Sequence, residues 1–254
     1  MIPHTFGVNY IDPMGLAKEM VSQGTWLFRY RGQIPVLLFL LAVPVVLTGC
    51  GMPPLWVFWV ATAISVCGAL MRAYVVGTAP RGTSGRNTKE QVAEVLNSTG
   101  AYSLVRHPLY VANYLMWIGI VIFTGSIWFT TVVTLLYWIY YERIMATEEN
   151  FLIGKFGAAY DLWADKTPAF IPKLTGFVAA SEQFSLKPVL IREYSGWLAT
   201  VLGFVFVTYL HDLVANNYHA KEAMSKGHQQ AWWVLGGTLV VTLALRTYKK
   251  ATRA

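Results

Sequence analysis

Charged residues are scarce in this chain. Only 13% of its 254 residues are Asp, Glu, Lys or Arg, whereas soluble domains carry roughly 25%. Hydrophobic residues make up 55% of the sequence, and the mean hydropathy is +0.44. This composition argues against a soluble enzyme with a single anchor. It predicts an all-α, polytopic membrane protein.

Cysteine is rarer still, and the sequence lacks the patterns of a signal peptide and of a nucleic-acid-binding surface. Cys50 and Cys67 form neither a disulfide framework nor a set with metal-ligand spacing, so we predict no metal site. Residues 1–33 lack the short apolar core and cleavage site of a signal peptide. No basic stripe is interleaved with stacking aromatics outside the apolar runs, so nucleic acid is not an expected partner.

Six apolar runs predict about six transmembrane helices. A bilayer core of about 30 Å requires roughly 20 helical residues, and several of the runs are shorter than that. We therefore expect flanking polar residues, such as Arg106, His107 and Glu142, to belong to the same helices. The six runs are residues 34–50, 55–76, 109–124, 127–141, 195–210 and 231–245.

These runs divide the chain into four predicted segments. Residues 1–33 are amphipathic and predict an interfacial segment. Residues 34–99 hold the first two transmembrane helices and a polar loop. Residues 100–175 form a core in which a short helical hairpin precedes a polar stretch. Residues 176–254 add two C-terminal transmembrane helices and a basic tail.

The distribution of basic residues predicts the orientation. With six spans both termini lie on one side, and of the 20 Lys and Arg residues all except Lys221 and Lys226 fall on that side. Cytoplasmic loops carry such an excess, so we expect the termini to be cytoplasmic. The net charge of +7 also suits contact with an anionic bilayer. A bacterial inner membrane and the endoplasmic reticulum fit equally well.

Polar motifs stand at both open ends of the predicted hairpin. Arg106-His107-Pro108 precedes its first helix, and Glu148-Glu149 follows its second. A hairpin returns to the side that it left, so the two motifs should lie close together on the cytoplasmic face. Surface Glu pairs are usually only solvated, and the hairpin is what favours a functional role here.

The first helix of the hairpin carries a polar face. His107, Tyr110 and Tyr114 recur at helical spacing, and Asn113 lies on the neighbouring stripe. An aromatic belt or a capping histidine is the simpler interpretation of each residue alone. Together they favour a wet cavity at the cytoplasmic end of the helix.

A cavity with one acidic and one basic wall suits a zwitterion. Carboxylates bind an ammonium group, Arg binds a carboxylate, and aromatic rings favour a cation such as a sulfonium. S-adenosylmethionine has all three features, as do other amphiphiles. These residue types therefore permit this cofactor without singling it out.

The order of the motifs resembles the isoprenylcysteine carboxyl methyltransferase and phospholipid N-methyltransferase superfamily. The resemblance implies an integral membrane enzyme that binds S-adenosylmethionine in a cytoplasmic pocket built by residues 100–175. It also implies a lipid or lipidated acceptor that enters from the membrane. The matching motifs are Arg106-His107-Pro108-Leu109-Tyr110, Glu148-Glu149 with Phe151-Leu152, Phe156-Gly157 with Tyr160, and Phe170-Ile171-Pro172.

The resemblance also implies site residues. Ala112 stands where the family often has Gly, so the backbone should approach the cofactor slightly less closely. Arg106 or Arg192 would orient a carboxylate acceptor, which needs no base, whereas an amine acceptor needs a proton acceptor. The predicted catalytic residues are Arg106, Glu142 and Glu149. The predicted cofactor-binding residues are His107, Tyr110, Asn113, Tyr114, Glu148, Glu149, Tyr160 and Trp163.

Three other functions stay open. An isoprenylcysteine-type carboxyl methyltransferase is favoured, and a phospholipid N-methyltransferase is second. Sterol-type reductases that bind NADPH resemble the same core, but they tend to have Asn directly after Arg-His-Pro, where this chain has Leu109. A non-enzymatic transport or assembly protein would need no cofactor pocket.

Overall fold

A computed structural model describes residues 15–32, 34–49, 51–80 and 93–251 of the chain. Within those ranges the protein consists of α-helices and one short 3-10 helix, without a β-strand, so the all-α prediction is confirmed. The 3-10 helix is Gly100–Ser103. The α-helices are α1 (Leu16–Tyr30), α2 (Ile34–Leu47), α3 (Leu55–Thr78), α4 (Pro108–Phe123), α5 (Ile127–Phe156), α6 (Ala158–Ala164), α7 (Leu186–Ala215), α8 (Ala220–Lys226) and α9 (Gln229–Ala251).

Helix α1 packs along α5. Its Gly24 and Phe28 are buried, and the Thr147 hydroxyl of α5 donates a hydrogen bond to the Val21 carbonyl at 2.9 Å. Phe28 joins a buried cluster that includes Tyr141. Part of the apolar surface of α1 is therefore buried against protein, whereas Leu16 and Trp26 are exposed. Residues 1–14 of the predicted interfacial segment lie outside the described residues.

Small residues allow α3 and α4 to approach closely. Ala61, Ser65 and Gly68 recur at helical spacing along α3, and the Ser65 hydroxyl donates to the Met116 carbonyl of α4 at 2.8 Å. A methyl group added at Gly119 of α4 would overlap the Ala61 carbonyl and the Ser65 hydroxyl. This is the small-residue packing that membrane helices use, because lipid provides no hydrophobic force between them.

The predicted hairpin is formed by α4 and α5. Gly125 has a φ of 77° in the turn, and the Ser126 hydroxyl caps α5 by accepting from the Phe129 amide at 3.3 Å. Helix α5 runs unbroken for 30 residues, so Glu142 lies within it, as expected.

The expectation that Arg106 and His107 belong to α4 is wrong. The helix begins at Pro108, and His107 is its N-cap residue, with φ −121° and ψ 60°. Proline suits the first helical position, and its ring disfavours helical geometry in the residue before it.

The C-terminal region contains more helix than the apolar runs suggested. Helix α7 extends beyond the predicted fifth span in both directions. Helix α8 lies between the predicted fifth and sixth spans, in residues 211–230. Helix α9 covers the predicted sixth span and has no buried residue.

Within the described ranges, two helices are long and apolar enough to cross a membrane, Leu55–Gly77 and Leu186–Ala215; Pro108–Phe123 is apolar but shorter. Large apolar side chains also face outward elsewhere, including Ile127 at 85% exposure and Trp233 at 80%. Such surfaces mark contact with an apolar environment or partner. These features suggest a membrane protein, while the six spans and their orientation stay predictions.

The α3–α4 contact predicts how glycine substitutions act. Gly119→Ala should destabilise the protein by about 1–3 kcal/mol, because the added methyl group meets main-chain atoms that cannot move aside. Gly154→Ala in α5 is the matched control, since nothing lies within 4 Å of its added methyl group. Alanine should stabilise the helix there by up to about 1 kcal/mol. Thermal denaturation in detergent measures both, and equal melting temperatures would contradict the packing account.

Candidate functional site

Main-chain hydrogen bonds hold the segment before α4 against the segment after α6. The Arg106 amide donates to the Pro168 carbonyl at 2.8 Å, and the His107 amide donates to the Ala169 carbonyl at 3.2 Å. Lys173 continues this pairing by donating to the Leu104 carbonyl at 3.1 Å. Residues 104–107 and 168–173 therefore form one platform, which fixes where the Arg106 and His107 side chains begin.

Two cationic side chains of this platform contact Glu149. Its Oε1 atom lies 2.8 Å from Nε of Arg106 and 2.9 Å from Nε2 of His107. The predicted proximity of the Arg-His-Pro and Glu-Glu motifs is thereby confirmed. Hydrogen bonds between charged groups are about twice as strong as neutral ones, so these contacts tie the open ends of the hairpin together.

Glu148 faces a different set of partners. The Tyr110 hydroxyl donates to Oε1 of Glu148 at 2.6 Å. Nδ1 of His107 lies 3.6 Å from Oε2 of Glu148, and Nη1 of Arg31 lies 3.5 Å from Oε1 of Glu148. Tyr110 also packs on Tyr141, with ring centroids 4.8 Å apart. A carboxylate, a guanidinium and aromatic rings thus meet at one place.

The two carboxylates shift the titration of this cluster. Burial alone would lower the pKa of His107, but the hydrogen bonds and charges of Glu148 and Glu149 outweigh it and raise that pKa above its ordinary value. Burial would raise the pKa of Glu149, but His107 and Arg106 lower it below its ordinary value. The arrangement therefore favours an anionic Glu149 beside a protonated His107.

Helix α6 and the 3-10 helix close one side of the site. Nη1 of Arg106 donates to the carbonyls of Ala164 and Thr167, both at 2.9 Å. The Trp163 indole donates to the Tyr102 carbonyl at 3.1 Å. These bonds attach α6 to the segment that precedes α4.

Tyr160 lies next to Trp163, with ring centroids 5.6 Å apart. Its hydroxyl is buried and has no hydrogen-bond partner within the described part of the chain. Burial raises the pKa of Tyr160, and the charge of Glu149 raises it further, so the phenol stays neutral. A buried phenol without a partner can donate to a bound ligand.

Three predicted site residues, Tyr114, Asn113 and Glu142, have no described contact with Glu148 or Glu149. The Tyr114 hydroxyl bonds to the Thr134 hydroxyl inside the hairpin at 3.0 Å. The Asn113 amide oxygen accepts from Arg72. No described contact joins Glu142 to the cluster, although seven-residue spacing puts it on the Glu149 face of α5, about 10 Å along the helix. The roles of these residues stay predictions.

Three charged residues near the site were missed in the sequence. Arg31 lies in the segment predicted to be amphipathic, and Arg72 lies near the end of the second predicted span, 55–76. Glu193 was not singled out, although a lone acidic residue in the apolar stretch 189–207 was an available signal. Arg72 and Glu193 form an ion pair with an Nε–Oε2 distance of 2.6 Å.

The structure also bears on the expectations about Ala112 and about metal ligands. Ala112 is fully buried, and its carbonyl faces Gly68 of α3, so this position serves helix packing. Among the residues for which the structure gives positions, no three His, Cys, Asp or Glu side chains are grouped to hold a metal ion.

The cluster predicts how stability depends on pH. The raised pKa of His107 means that its pairing stabilises the fold fully below pH 6.5 and that this contribution is lost as the pH rises through the raised value. The lowered pKa of Glu149 means that its contribution is present above pH 4.5 and is lost as the pH falls through the lowered value.

Melting curves between pH 4 and 9 test the sign for His107. His107→Gln should flatten the fall in melting temperature above pH 6.5. His219→Gln, which removes an exposed histidine, is the control and should keep the wild-type profile. A His107→Gln profile parallel to wild type would contradict the ion-pair assignment.

Comparisons with known proteins agree with the geometry. Residues 56–159 match the family described as phospholipid methyltransferase. The chain is 32% identical over 138 residues to the nickel-cobalt-cadmium resistance protein NccN of Alcaligenes xylosoxydans xylosoxydans, covering 54% of this chain and 60% of that protein. It is 40% identical over 80 residues to the cobalt-zinc-cadmium resistance protein CzcN of Cupriavidus metallidurans, covering 32% and 37%.

A third relative is an enzyme by name. The protein-S-isoprenylcysteine O-methyltransferase of Schizosaccharomyces pombe is 31% identical over 85 residues, covering 34% of this chain and 36% of that protein. The chain thus spans between about a third and three fifths of the length of these relatives. No solved structure matches it. The resemblance seen in the motifs is confirmed: residues 56–159 match the phospholipid methyltransferase family, which includes isoprenylcysteine methyltransferases.

Proposed function

We propose that this protein is a membrane-embedded, S-adenosylmethionine-dependent methyltransferase that acts on a lipid or lipidated acceptor. The observation that carries the proposal is the contact of Glu149 with Arg106 and His107, beside Glu148 with Tyr110 and Arg31. The Arg-His-Pro and Glu-Glu motifs both lie inside the segment that matches a methyltransferase family.

The donor set fits the amino-acid end of S-adenosylmethionine. Glu148 suits its ammonium group, and Arg31, 3.5 Å from Glu148, suits its carboxylate. The buried Tyr160 hydroxyl, which lacks a described partner, offers one more hydrogen bond. Bound S-adenosylmethionine supplies a methyl group on a positively charged sulfur.

The chain's own residues contribute charge and position. Arg106 and His107 keep Glu149 anionic and hold its carboxylate in a fixed position. The rings of Tyr110 and Tyr141 give it an aromatic wall that favours a cation. Groups held this firmly lower the entropic cost of bringing two reactants together.

The acceptor is proposed from the relatives. The name of the Schizosaccharomyces pombe protein supports an isoprenylcysteine-type carboxylate, and the family description supports a phospholipid as the second choice. Methylation of a carboxylate releases no proton, so that reaction needs no base. Methylation of an amine releases one, and Glu142 or Glu149 would accept it.

Binding of the cofactor is the first test. Calorimetric titration of S-adenosylmethionine, and of its demethylated product, into the detergent-purified protein should give saturable binding. Glu148→Gln should weaken it about ten- to a hundredfold, because a hydrogen bond between charged groups is lost. The exposed Glu182→Gln is the control and should bind like wild type. Folded protein that binds neither compound would refute the proposal, and saturable binding of NADPH instead would favour the reductase.

Membrane orientation is a separate proposal. We infer that the protein crosses the membrane about six times with both termini and the pocket in the cytoplasm, which the positions of the basic residues support. A reporter that is active only in the cytoplasm, fused after Ala254, should be active. The same reporter in the 216–219 loop should be silent. The reverse pattern would overturn the topology.

A further inference from the structure

A second charged cluster lies beside the candidate site. Arg72 of α3 makes a two-pronged ion pair with Glu193 of α7, with Nε–Oε2 at 2.6 Å and Nη2–Oε1 at 3.0 Å. Nη1 of Arg72 also donates to the Asn113 amide of α4. The Glu193 side chain is 1% exposed and the Arg72 side chain 15%.

The location of this pair is unusual. Arg72 and Glu193 belong to the two helices that are long and apolar enough to span a membrane. Charged groups inside such helices are costly and usually serve a function. A buried ion pair is weak evidence of stability, since apolar residues of similar size often serve as well. The pair therefore calls for an explanation other than packing.

Arg72 is adjacent to the methyltransferase site. Asn113 lies one turn beyond Tyr110 on α4, about 9 Å from His107 along the helix axis. The Arg72 guanidinium contacts α4 at Asn113. Tyr102 gives an independent indication. Burial raises the pKa of Tyr102, and the charge of Glu148 raises it further while the charge of Arg72 lowers it.

The Arg72 guanidinium has N–H donors that no described contact uses. An arginine carries five N–H donors, and the described contacts of Arg72 use three of them. The cation is therefore held in a fixed orientation by Glu193 and Asn113. The described contacts of Arg106 also use three donors, but two of them are to the main-chain carbonyls of Ala164 and Thr167, which suits a positioning role for Arg106.

We propose that Arg72 binds the anionic group of the methyl acceptor, a carboxylate or a phosphate, and that Glu193 is the residue that positions Arg72 for this. The inference rests on the proposed function, because it assigns the acceptor side of the same site. It makes α7, which lies outside the segment that matches the family, a contributor to acceptor binding.

Two probes distinguish the sources of the anion. The first is an S-prenylated cysteine derivative with a free carboxylate, compared with its carboxamide. The second is phosphatidylethanolamine dissolved in detergent micelles, compared with diacylglycerol, which has no phosphate, in the same micelles. Binding of each to the purified full chain is measured separately from binding of S-adenosylmethionine.

Arg72→Met should weaken binding of the anionic probe about ten- to a hundredfold and leave that of its neutral counterpart unchanged. Loss confined to the prenylcysteine acid assigns a carboxylate, and loss confined to phosphatidylethanolamine assigns a phosphate. Arg72→Lys keeps the charge but lacks the fork that Glu193 grips, so it should recover only part of the affinity. Affinity for S-adenosylmethionine should stay within about threefold of wild type, a smaller change than the loss of a charged hydrogen bond causes.

The double variant Arg72→Met/Glu193→Met separates binding from structure. It removes both charges and should fold, since a buried pair can be replaced by apolar residues. If Arg72 binds the anion, the double variant still fails to bind the probe. Glu222→Gln, which breaks an exposed ion pair with Lys226, is the control and should match wild type.

Several results would overturn the inference. They are equal binding within both probe pairs by the wild type, acid with amide and phosphatidylethanolamine with diacylglycerol; unchanged affinity for both anionic probes in Arg72→Met; and wild-type affinity in the double variant. Failure of the proposed function has a different signature, because the wild type would then not bind S-adenosylmethionine even where anion binding depends on Arg72.

Discussion

The contact between Glu149 and the two cations that precede α4 is the interaction on which the site depends. Glu149 lies 2.9 Å from His107, although 42 positions separate them in the chain. The α4–α5 hairpin makes the contact possible, and the platform of residues 104–107 and 168–173 makes it specific. Arg106 extends the contact to α6, so the same few bonds connect the two motifs with α6.

Segments beyond the core complete this arrangement. Helix α1 buries Phe28 against α5 and brings Arg31 to Glu148. Helix α7 brings Glu193 to Arg72. Both lie outside the 56–159 segment that matches the family. The family segment thus supplies the two motifs and Arg72, and its neighbours supply Arg31 and Glu193, which pair with Glu148 and Arg72.

The two charged clusters differ in their surroundings, which suggests a division of labour. Glu148 and Glu149 are each about a quarter exposed, so a polar cofactor can reach them from water. Glu193 is almost completely buried, and its partner Arg72 lies among apolar helices. A charge in such a place interacts strongly with the group that it meets, because water does not screen it. This suits an acceptor whose tail stays in lipid.

The sequence by itself determined the helical fold, the hairpin and the meeting of its two motifs. Apolar runs separated by a two-residue turn leave little choice but antiparallel helices, and polar residues at their open ends must then be neighbours. Helix ends were less predictable, since His107 stays outside α4 because of Pro108. The partners Arg31, Arg72 and Glu193 were decided only by the tertiary structure. Periodicity shows which residues share a helix face, but it does not show which faces meet, and these contacts join helices that are far apart in the chain.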